Sequence, residues 1–202
     1  MKNQDYLYLD HAASTPMRKS AMDKYIEAES YGYANSSGGH KLSRNSKNLL
    51  EDSREKIAEL LNAAQGEIVF TSGGTEADNW TIKSLFNSER PNDNLVTSNI
   101  EHEAVIASAE WVSSNGFHTK YAKSDKNGLV TKDEFLGQVD NDTKVASLMW
   151  GNNETGIIQP IKDIAREIKT INSSTLFHSD VVQGIISDNI DFHKNGIESA
   201  AV

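Results

Sequence analysis

The sequence contains no cysteine, and this absence removes several kinds of chemistry at once. Without thiols the chain can form neither disulfides nor thiolate metal sites, and it offers no cysteine nucleophile. Long hydrophobic runs are also missing, because no apolar stretch approaches the roughly 20 residues that a membrane helix needs. The first five residues lack the hydrophobic centre of a secretory signal. We therefore expect a cytoplasmic protein.

Basic residues are scarce relative to acidic ones. The chain carries 20 lysines and arginines against 29 aspartates and glutamates, which gives a formal net charge of −9. Binding to nucleic acid or to an anionic membrane depends on clustered lysine and arginine, so this balance argues against both. The 37% of hydrophobic residues and 24% of charged residues are typical of a globular protein with a core of its own.

Strand-like segments alternate with helical ones, which predicts an α/β fold. The strand-like segments are residues 67–71, 94–98, 145–150 and 175–180. A helix is predicted over residues 41–63, with its apolar residues roughly on one stripe that should pack against the sheet. The residues of that stripe are Leu42, Ser46, Leu49, Leu50, Ile57, Leu60 and Leu61.

Helix ends are marked by residues with known positional preferences. Pro16 and Pro160 each suit the first turn of a helix. Thr131 with Glu134 fits a capping box, and Gly128 just before them fits a turn.

The last five residues, 198–202, look like the opening of a buried strand, and the sequence stops there. Domains seldom finish inside a core strand, because the strand's backbone partners are what hold it. We therefore expect a truncated domain with an incomplete sheet.

A glycine-rich segment, residues 71–79, follows a predicted strand and enters a predicted helix. Gly73 and Gly74 would let the backbone approach an anion closely, and Thr75 would add a hydroxyl near the positive end of the helix dipole. An ordinary glycine turn with Thr75 as the helix cap explains these residues equally well.

Polar residues follow the other predicted strands. Asp180 closes a hydrophobic strand, where a carboxylate could pair with a protonated ring nitrogen, and Gln183 could reach the ring's phenolic oxygen. His102 lies just past a strand and could stack on a flat ring or move protons. Residues 152–156 follow an apolar strand as well. Taken singly, each could instead be a cap, a solvated surface residue or a turn.

These signals converge on one place, because the carboxyl ends of parallel strands share one crevice. In their order and spacing the segments resemble the cysteine desulfurases of the NifS and IscS kind, which belong to the class V aminotransferases. The resemblance covers essentially the whole chain. It is carried by residues 8–16, Gly73-Gly74-Thr75-Glu76, Glu101-His102, residues 152–156, and His178-Ser179-Asp180 with Gln183.

The resemblance implies a large domain of the fold type I found in transferases that depend on pyridoxal 5'-phosphate. Residues 1–15 would be an N-terminal arm belonging to the small domain, and residues 16–202 would be the cofactor-binding large domain, truncated at its carboxyl end. The implied cofactor-binding residues are Gly74, Thr75, His102, Asn153, Asp180 and Gln183, with His102 also catalytic. Asn35 would lie beside the substrate, although Ala34 and Ser36 replace the family's glycine and proline there.

The implied reaction converts L-cysteine to L-alanine and passes the sulfur on as a persulfide, for iron–sulfur cluster or thiolated-cofactor synthesis. It needs a Schiff-base lysine, expected a few residues beyond Val202, and a cysteine nucleophile. Neither is in this sequence, so we expect the chain to be inactive alone. Partners implied for the complete enzyme are a sulfur-acceptor or scaffold protein and a second subunit of a homodimer. A selenocysteine lyase, another class V enzyme, or a non-catalytic scaffold with the same fold are the alternatives.

Overall fold

The structure, a computed structural model, describes residues 7–86, 90, 92–185 and 191–202. The chain divides into two compact units, with the boundary between Ile68 and Val69. The predicted arm, residues 1–15, falls in the first unit and is described from Leu7 onward. Its assignment to a small domain stays a prediction.

The first unit contains two helices, α1 (Lys19–Tyr31) and α2 (Lys41–Leu61), which are followed by a 3₁₀ turn at Gln65–Glu67. The predicted helix over residues 41–63 is therefore confirmed. Its predicted packing stripe is wrong in part, because Leu42, Leu50 and Leu60 are 40%, 37% and 79% exposed. The buried residues of α2 are Ser43, Ser46, Ala58 and Leu61.

The second unit alternates helices and strands along the chain. Its strands are β1 (Asn94–Ser98), β2 (His118–Ala122), β3 (Thr143–Ser147), β4 (Leu176–Asp180) and β5 (Ser199–Ala201). Its helices are α3 (Gly74–Ser84), α4 (Glu103–Ser114), α5 (Lys132–Leu136), α6 (Ile161–Ile171) and α7 (Phe192–Asn195). None of the described helices combines the length and the apolar composition that crossing a bilayer requires.

The five strands form one sheet in the order β2-β1-β3-β4-β5, and every pairing in it is parallel. The α/β prediction is confirmed. Three predicted strands match β1, β3 and β4 closely, but residues 67–71 do not form a strand. Val69 and Phe70 in that segment are 59% and 44% exposed. Both residues favour strands, but no described strand pairs with this segment.

Helices cover both faces of the sheet, and each face has its own core. On one face, α3 and α4 pack Ile82, Val105 and Val112 against Leu95 and Val145. On the other face, α5 and α6 contribute Phe135, Ile161, Ile164 and Ile168, which pack on Val96, Ala146 and Phe177. Coverage on both faces buries all five residues of β1 and four of the five residues of β3, polar ones included.

Two of the predicted helix starts need correction. Pro160 is the cap of α6 and precedes its first turn, and α1 begins at Lys19, past Pro16. Thr131 does cap α5, because its side chain accepts a hydrogen bond from the Glu134 N–H. The reciprocal half of the capping box is absent, since Glu134 Oε1 accepts instead from the Lys123 N–H at 3.1 Å.

The chain changes direction across the sheet at β1. It moves outward from β1 to β2, and then returns to the opposite side of β1 to form β3, β4 and β5 in turn. In open parallel sheets, such a switch point leaves a crevice outside the carboxyl ends of the strands on either side. Here that crevice lies beyond the ends of β1 and β3, beside the end of β4.

Candidate active site at the carboxyl edge of the sheet

The start of α3 supplies one wall of the crevice. Gly73 precedes the helix with φ +154°, and the backbone N–H of Ser72 is bound by the Glu76 carboxylate. The first N–H groups of a helix have no partner within the helix, so those of Gly74 and Thr75 are available to an anion. A methyl group at Gly74 would lie 3.0 Å from Val182 Cγ2. The chain after β4 thus closes directly over the start of α3.

Asp180 is the last residue of β4 and is 7% exposed. One carboxylate oxygen, Oδ1, accepts a hydrogen bond from the Val182 N–H at 3.0 Å. The backbone carbonyl accepts from the Trp150 N–H at 2.8 Å, which fixes the end of β4 against the segment after β3. Burial raises the pKa of Asp180, and the nearby Asp78 carboxylate raises it further.

His102 caps α4 at the end of the loop that follows β1. Its Nδ1 accepts a hydrogen bond from the Ala104 N–H at 3.2 Å, so the proton of the neutral ring lies on Nε2. The side chain is exposed, and it is near enough to Asp180 to oppose the rise in that residue's pKa. The prediction that His102 stands at a helix start is therefore confirmed.

The turn after β3 is tied to the same edge by Asn152. The side-chain oxygen of Asn152 accepts from the backbone N–H groups of Glu154 and Thr155, at 3.0 and 2.8 Å. Its amide nitrogen donates to the Ile100 carbonyl at 2.9 Å, two residues before His102. Asn153 is left exposed at the tip of this turn, and its side chain has no hydrogen bond with any described residue.

Gln183 lies on the short turn that follows β4 and is half-buried. The next residue, Gly184, passes very close to the indole of Trp150, because a methyl group there would lie 2.5 Å from Trp150 Cδ1. This close approach binds the turn carrying Gln183 to the segment after β3.

The structure thus brings six of the predicted site residues to one edge of the sheet in the second unit: Gly74, Thr75, His102, Asn153, Asp180 and Gln183. Together they offer free helix N–H groups, an exposed imidazole, amide groups and a buried carboxylate, which is the set that a flat phosphorylated ring requires. The seventh residue, Asn35, belongs to the first unit. Its side-chain oxygen accepts from the N–H and hydroxyl of Ser37, at 3.0 and 2.7 Å, within a local turn.

Sequence reasoning missed a buried polar network beneath this edge. His178 in β4 is completely buried, and its Nε2 lies 3.0 Å from Oδ1 of Asp78 on α3, which is 1% exposed. The other ring nitrogen of His178 lies 3.2 Å from the Ser199 hydroxyl, which in turn is 2.9 Å from the hydroxyl of Thr81. The network joins α3, β4 and β5. Because every residue of β4 from Phe177 to Asp180 is buried, no alternation in the sequence sets His178 apart.

Glu101 was missed as well. In sequence it looks like part of a solvated helix start, but it is 9% exposed and reaches under the ends of two strands. Its Oε1 accepts from the Ser98 hydroxyl at 2.6 Å and from the Met149 N–H at 3.0 Å. Burial is the largest influence on this carboxyl and raises its pKa to about 8.

Comparison with known proteins agrees with this geometry. Residues 7–202 match the family described as aminotransferase class-V. The chain is 38% identical over 193 residues to the cysteine desulfurase IscS of Methanosarcina thermophila, covering 95% of this chain and 47% of that protein. It is 35% identical to the putative cysteine desulfurase IscS 1 of Bacillus subtilis, covering 97% of this chain and 52% of that protein.

Solved structures give the same result. A NifS-like protein superposes with a TM-score of 0.92 at 34% identity, over 96% of this chain and 53% of its own. SspA in complex with cysteine superposes with a TM-score of 0.89 at 31% identity, over 96% of this chain and 56% of its own. The predicted fold is thereby confirmed, and the chain spans about half the length of the relatives that it matches.

Proposed function

This chain belongs to the class V aminotransferase family, and we propose that it forms the cofactor-binding part of a cysteine desulfurase that uses pyridoxal 5'-phosphate. The complete protein would convert L-cysteine to L-alanine and transfer the sulfur as a persulfide, for iron–sulfur cluster or thiolated-cofactor synthesis. The observation that carries the proposal is the convergence of the α3 N-terminus, His102 and Asp180 on one crevice. The names of the relatives support the reaction. The similarity to SspA, whose structure is a complex with cysteine, supports the substrate.

Gly74 and Thr75 are proposed to hold the phosphate group of the cofactor. Their N–H groups stand at the positive end of α3, where a phosphate is stabilised by the helix dipole. The lack of a side chain at Gly74 fits this role, because Val182 closes that wall and would meet a methyl group at 3.0 Å. The residues present therefore fit a phosphorylated ligand.

Asp180 is proposed to bind the protonated ring nitrogen of the cofactor. The Val182 N–H donates to its Oδ1, so the second oxygen can accept a hydrogen bond from the ring. A buried carboxylate binds a cation strongly, because little water competes for it. Pairing with the ring nitrogen would also offset the burial that raises the pKa of Asp180. When bound, the cofactor supplies an electron sink for the bonds at the substrate's α-carbon.

His102, Asn153 and Gln183 are proposed to line the ring. Because Nδ1 of His102 is held by the Ala104 N–H, its Nε2 is the atom that can give or take a proton at the substrate. Asn153 and Gln183 are proposed to contact the ring's oxygen side. Asn35 stays the proposed substrate contact of the complete protein.

We expect this chain to bind the cofactor without catalysing the reaction. The anchoring lysine and the nucleophilic cysteine are proposed to belong to the rest of the complete protein, together with the dimer interface and the surface for a sulfur acceptor. Lys194 is a poor substitute for the lysine, because its side chain is 81% exposed and pairs with Asp191 at 2.9 Å. We therefore expect weak cofactor binding and no sulfide release. A cytoplasmic location remains a prediction.

The test is a titration of the chain with pyridoxal 5'-phosphate, followed by absorbance, with unphosphorylated pyridoxal as the comparison ligand. Asp180→Asn should weaken binding by about 10- to 100-fold, since a hydrogen bond to a charged group is worth about 1.5–3 kcal/mol. The control Asp163→Asn, an exposed change on α6, should leave binding unchanged. Equal binding by Asp180→Asn and the control would overturn the proposed site. Sulfide release from cysteine by the chain would contradict the proposed separation of binding and turnover.

A further inference from the structure

Glu101 has an asymmetric environment at the switch point of the sheet. Oε1 accepts two hydrogen bonds, from the Ser98 hydroxyl at the end of β1 and from the Met149 N–H beyond β3. Oε2 is fully buried and has no hydrogen-bond partner among the described residues. One oxygen is thus saturated with donors, while the other receives none.

This environment destabilises the ionised form of the Glu101 carboxyl. A buried charge needs donors or a cation at both oxygens, and Oε2 has neither in the part of the chain that the structure describes. The ionisable groups that act on Glu101 most strongly are two carboxylates, Asp180 at the end of β4 and Asp78 on α3. Both disfavour a further negative charge. Two histidines lie in this region: His178 is paired with Asp78 at 3.0 Å, and His102 is exposed, with its Nδ1 accepting from the Ala104 N–H.

The alternative is a neutral acid, because an uncharged O–H costs far less to bury without a partner than a charged oxygen does. We infer that Glu101 carries a proton on Oε2 in the folded protein and acts as a positioning residue, joining the ends of β1 and β3 without adding charge to the crevice. The neutral group still accepts both hydrogen bonds at Oε1, so the two strand ends stay tied. Burial raises the pKa of Glu101 to about 8, in agreement with this geometry.

A consequence for the neighbouring site follows from charge alone. Glu101, Asp180 and Asp78 share a region with little water, and adjacent buried carboxylates do not all ionise easily. A proton held on Glu101 leaves the negative charge to Asp180, which faces the crevice. The proton on Glu101 itself is a property of the unliganded chain and does not depend on the proposed cofactor.

The first test compares urea unfolding of the wild-type chain and Glu101→Gln from pH 5 to 9, followed by tryptophan fluorescence. Gln keeps the carbonyl acceptor and is neutral at every pH. Between about pH 5 and 8 the folded wild type would hold one proton more than the unfolded chain. Its unfolding constant should therefore rise about tenfold per pH unit relative to Glu101→Gln and level off above pH 8.

Two further variants separate the proton from the structural tie. Glu103→Gln removes an exposed carboxyl on α4 and should reproduce the wild-type pH profile. Glu101→Leu leaves the Met149 N–H without its acceptor and should be less stable than Glu101→Gln at every pH. Such a result would show that the hydrogen bonds accepted by Oε1 hold the ends of β1 and β3 together.

Infrared spectroscopy provides a readout that does not require unfolding. The folded wild type at pH 6.5 should show a protonated-carboxyl C=O band that is lost in Glu101→Gln and retained in Glu103→Gln. A wild-type profile parallel to that of Glu101→Gln from pH 5 to 8, or no such band, would overturn the inference. Neither measurement uses the cofactor, so failure here is distinct from failure of the proposed function.

Discussion

The buried pair of His178 and Asp78 offers a sharp test of how the site is held together. Both side chains are essentially inaccessible to solvent, at 0% and 1%, and their contact at 3.0 Å joins β4 to α3. These are the two elements that carry Asp180 and the Gly74-Thr75 segment. Replacing either residue by leucine removes one partner and leaves the other buried without its hydrogen bond.

The magnitude follows from what is left behind. Removing one member of a buried pair typically costs about 3–5 kcal/mol, a large share of the roughly 5–15 kcal/mol that stabilises a folded domain. Replacing both members removes the stranded polar group as well, so Asp78→Leu with His178→Leu should cost less than either single change. The difference between the double change and the sum of the single ones should exceed about 2 kcal/mol.

The assay is urea unfolding at pH 7 for the wild type, both single variants and the double variant. All three tryptophans, at positions 80, 111 and 150, lie in the second unit, so their fluorescence reports on the unit that contains the pair. His118→Leu, an exposed change on β2, serves as the control and should stay within about 0.5 kcal/mol of the wild type. The reasoning would be refuted if the loss of unfolding free energy in the double variant equalled the sum of the losses in the two single variants.

Two further predictions concern other contacts of the second unit. Gly184→Ala should destabilise the chain by about 1–3 kcal/mol and alter the fluorescence of Trp150, because the new methyl group would lie 2.5 Å from the indole. The control Gly66→Ala should have neither effect, because a methyl group there would have no atom within 4 Å. Although burial opposes it, hydrogen bonds from Lys120 and Asn94 lower the pKa of Asp140 from 3.8 to about 2. Asp140 should therefore add stability above pH 4 that is lost as the pH falls toward 2. Since the pair with Lys120 is partly exposed, Asp140→Asn should cost under about 1 kcal/mol at pH 7, and the difference should vanish near pH 2 in urea unfolding. A constant difference across that range would exclude this origin.

The strands that the sequence predicted correctly are those covered by helices on both faces. β1 and β3 each carry a valine and a threonine, β4 carries a leucine and a phenylalanine, and the burial of these strands makes local propensity and tertiary structure agree. Residues 67–71 contain more β-branched and aromatic residues than any of the three, but the described structure gives them no strand partner, so propensity alone misled. β2 was missed for the opposite reason. It is a polar edge strand, His-Thr-Lys-Tyr-Ala, whose pairing with β1 supplies what its composition lacks.

The candidate site could be predicted where its residues stand at a strand end or in the loop just after one, since topology then places them together. Asp180 and His102 are of this kind. The residues beneath them could not be predicted, because their partners are distant in the chain. Asp78 and His178 are separated by 100 residues, and Glu101 accepts from Met149 across 48. No local pattern distinguishes a buried glutamate of this kind from a solvated one.

The all-parallel sheet also has a consequence for how the second unit folds. No two of its strands can pair through a tight hairpin, and even the nearest contact, between His178 and Ser199, closes a span of 21 residues. Each strand pairing therefore requires a loop to close first, and the entropy lost on closure is offset only after the contacts between the strands have formed. The unit should fold slowly for its size, with helices forming ahead of the sheet. During that interval the apolar edges of β3 and β4 would be open to other chains, so refolding yield should fall as protein concentration rises.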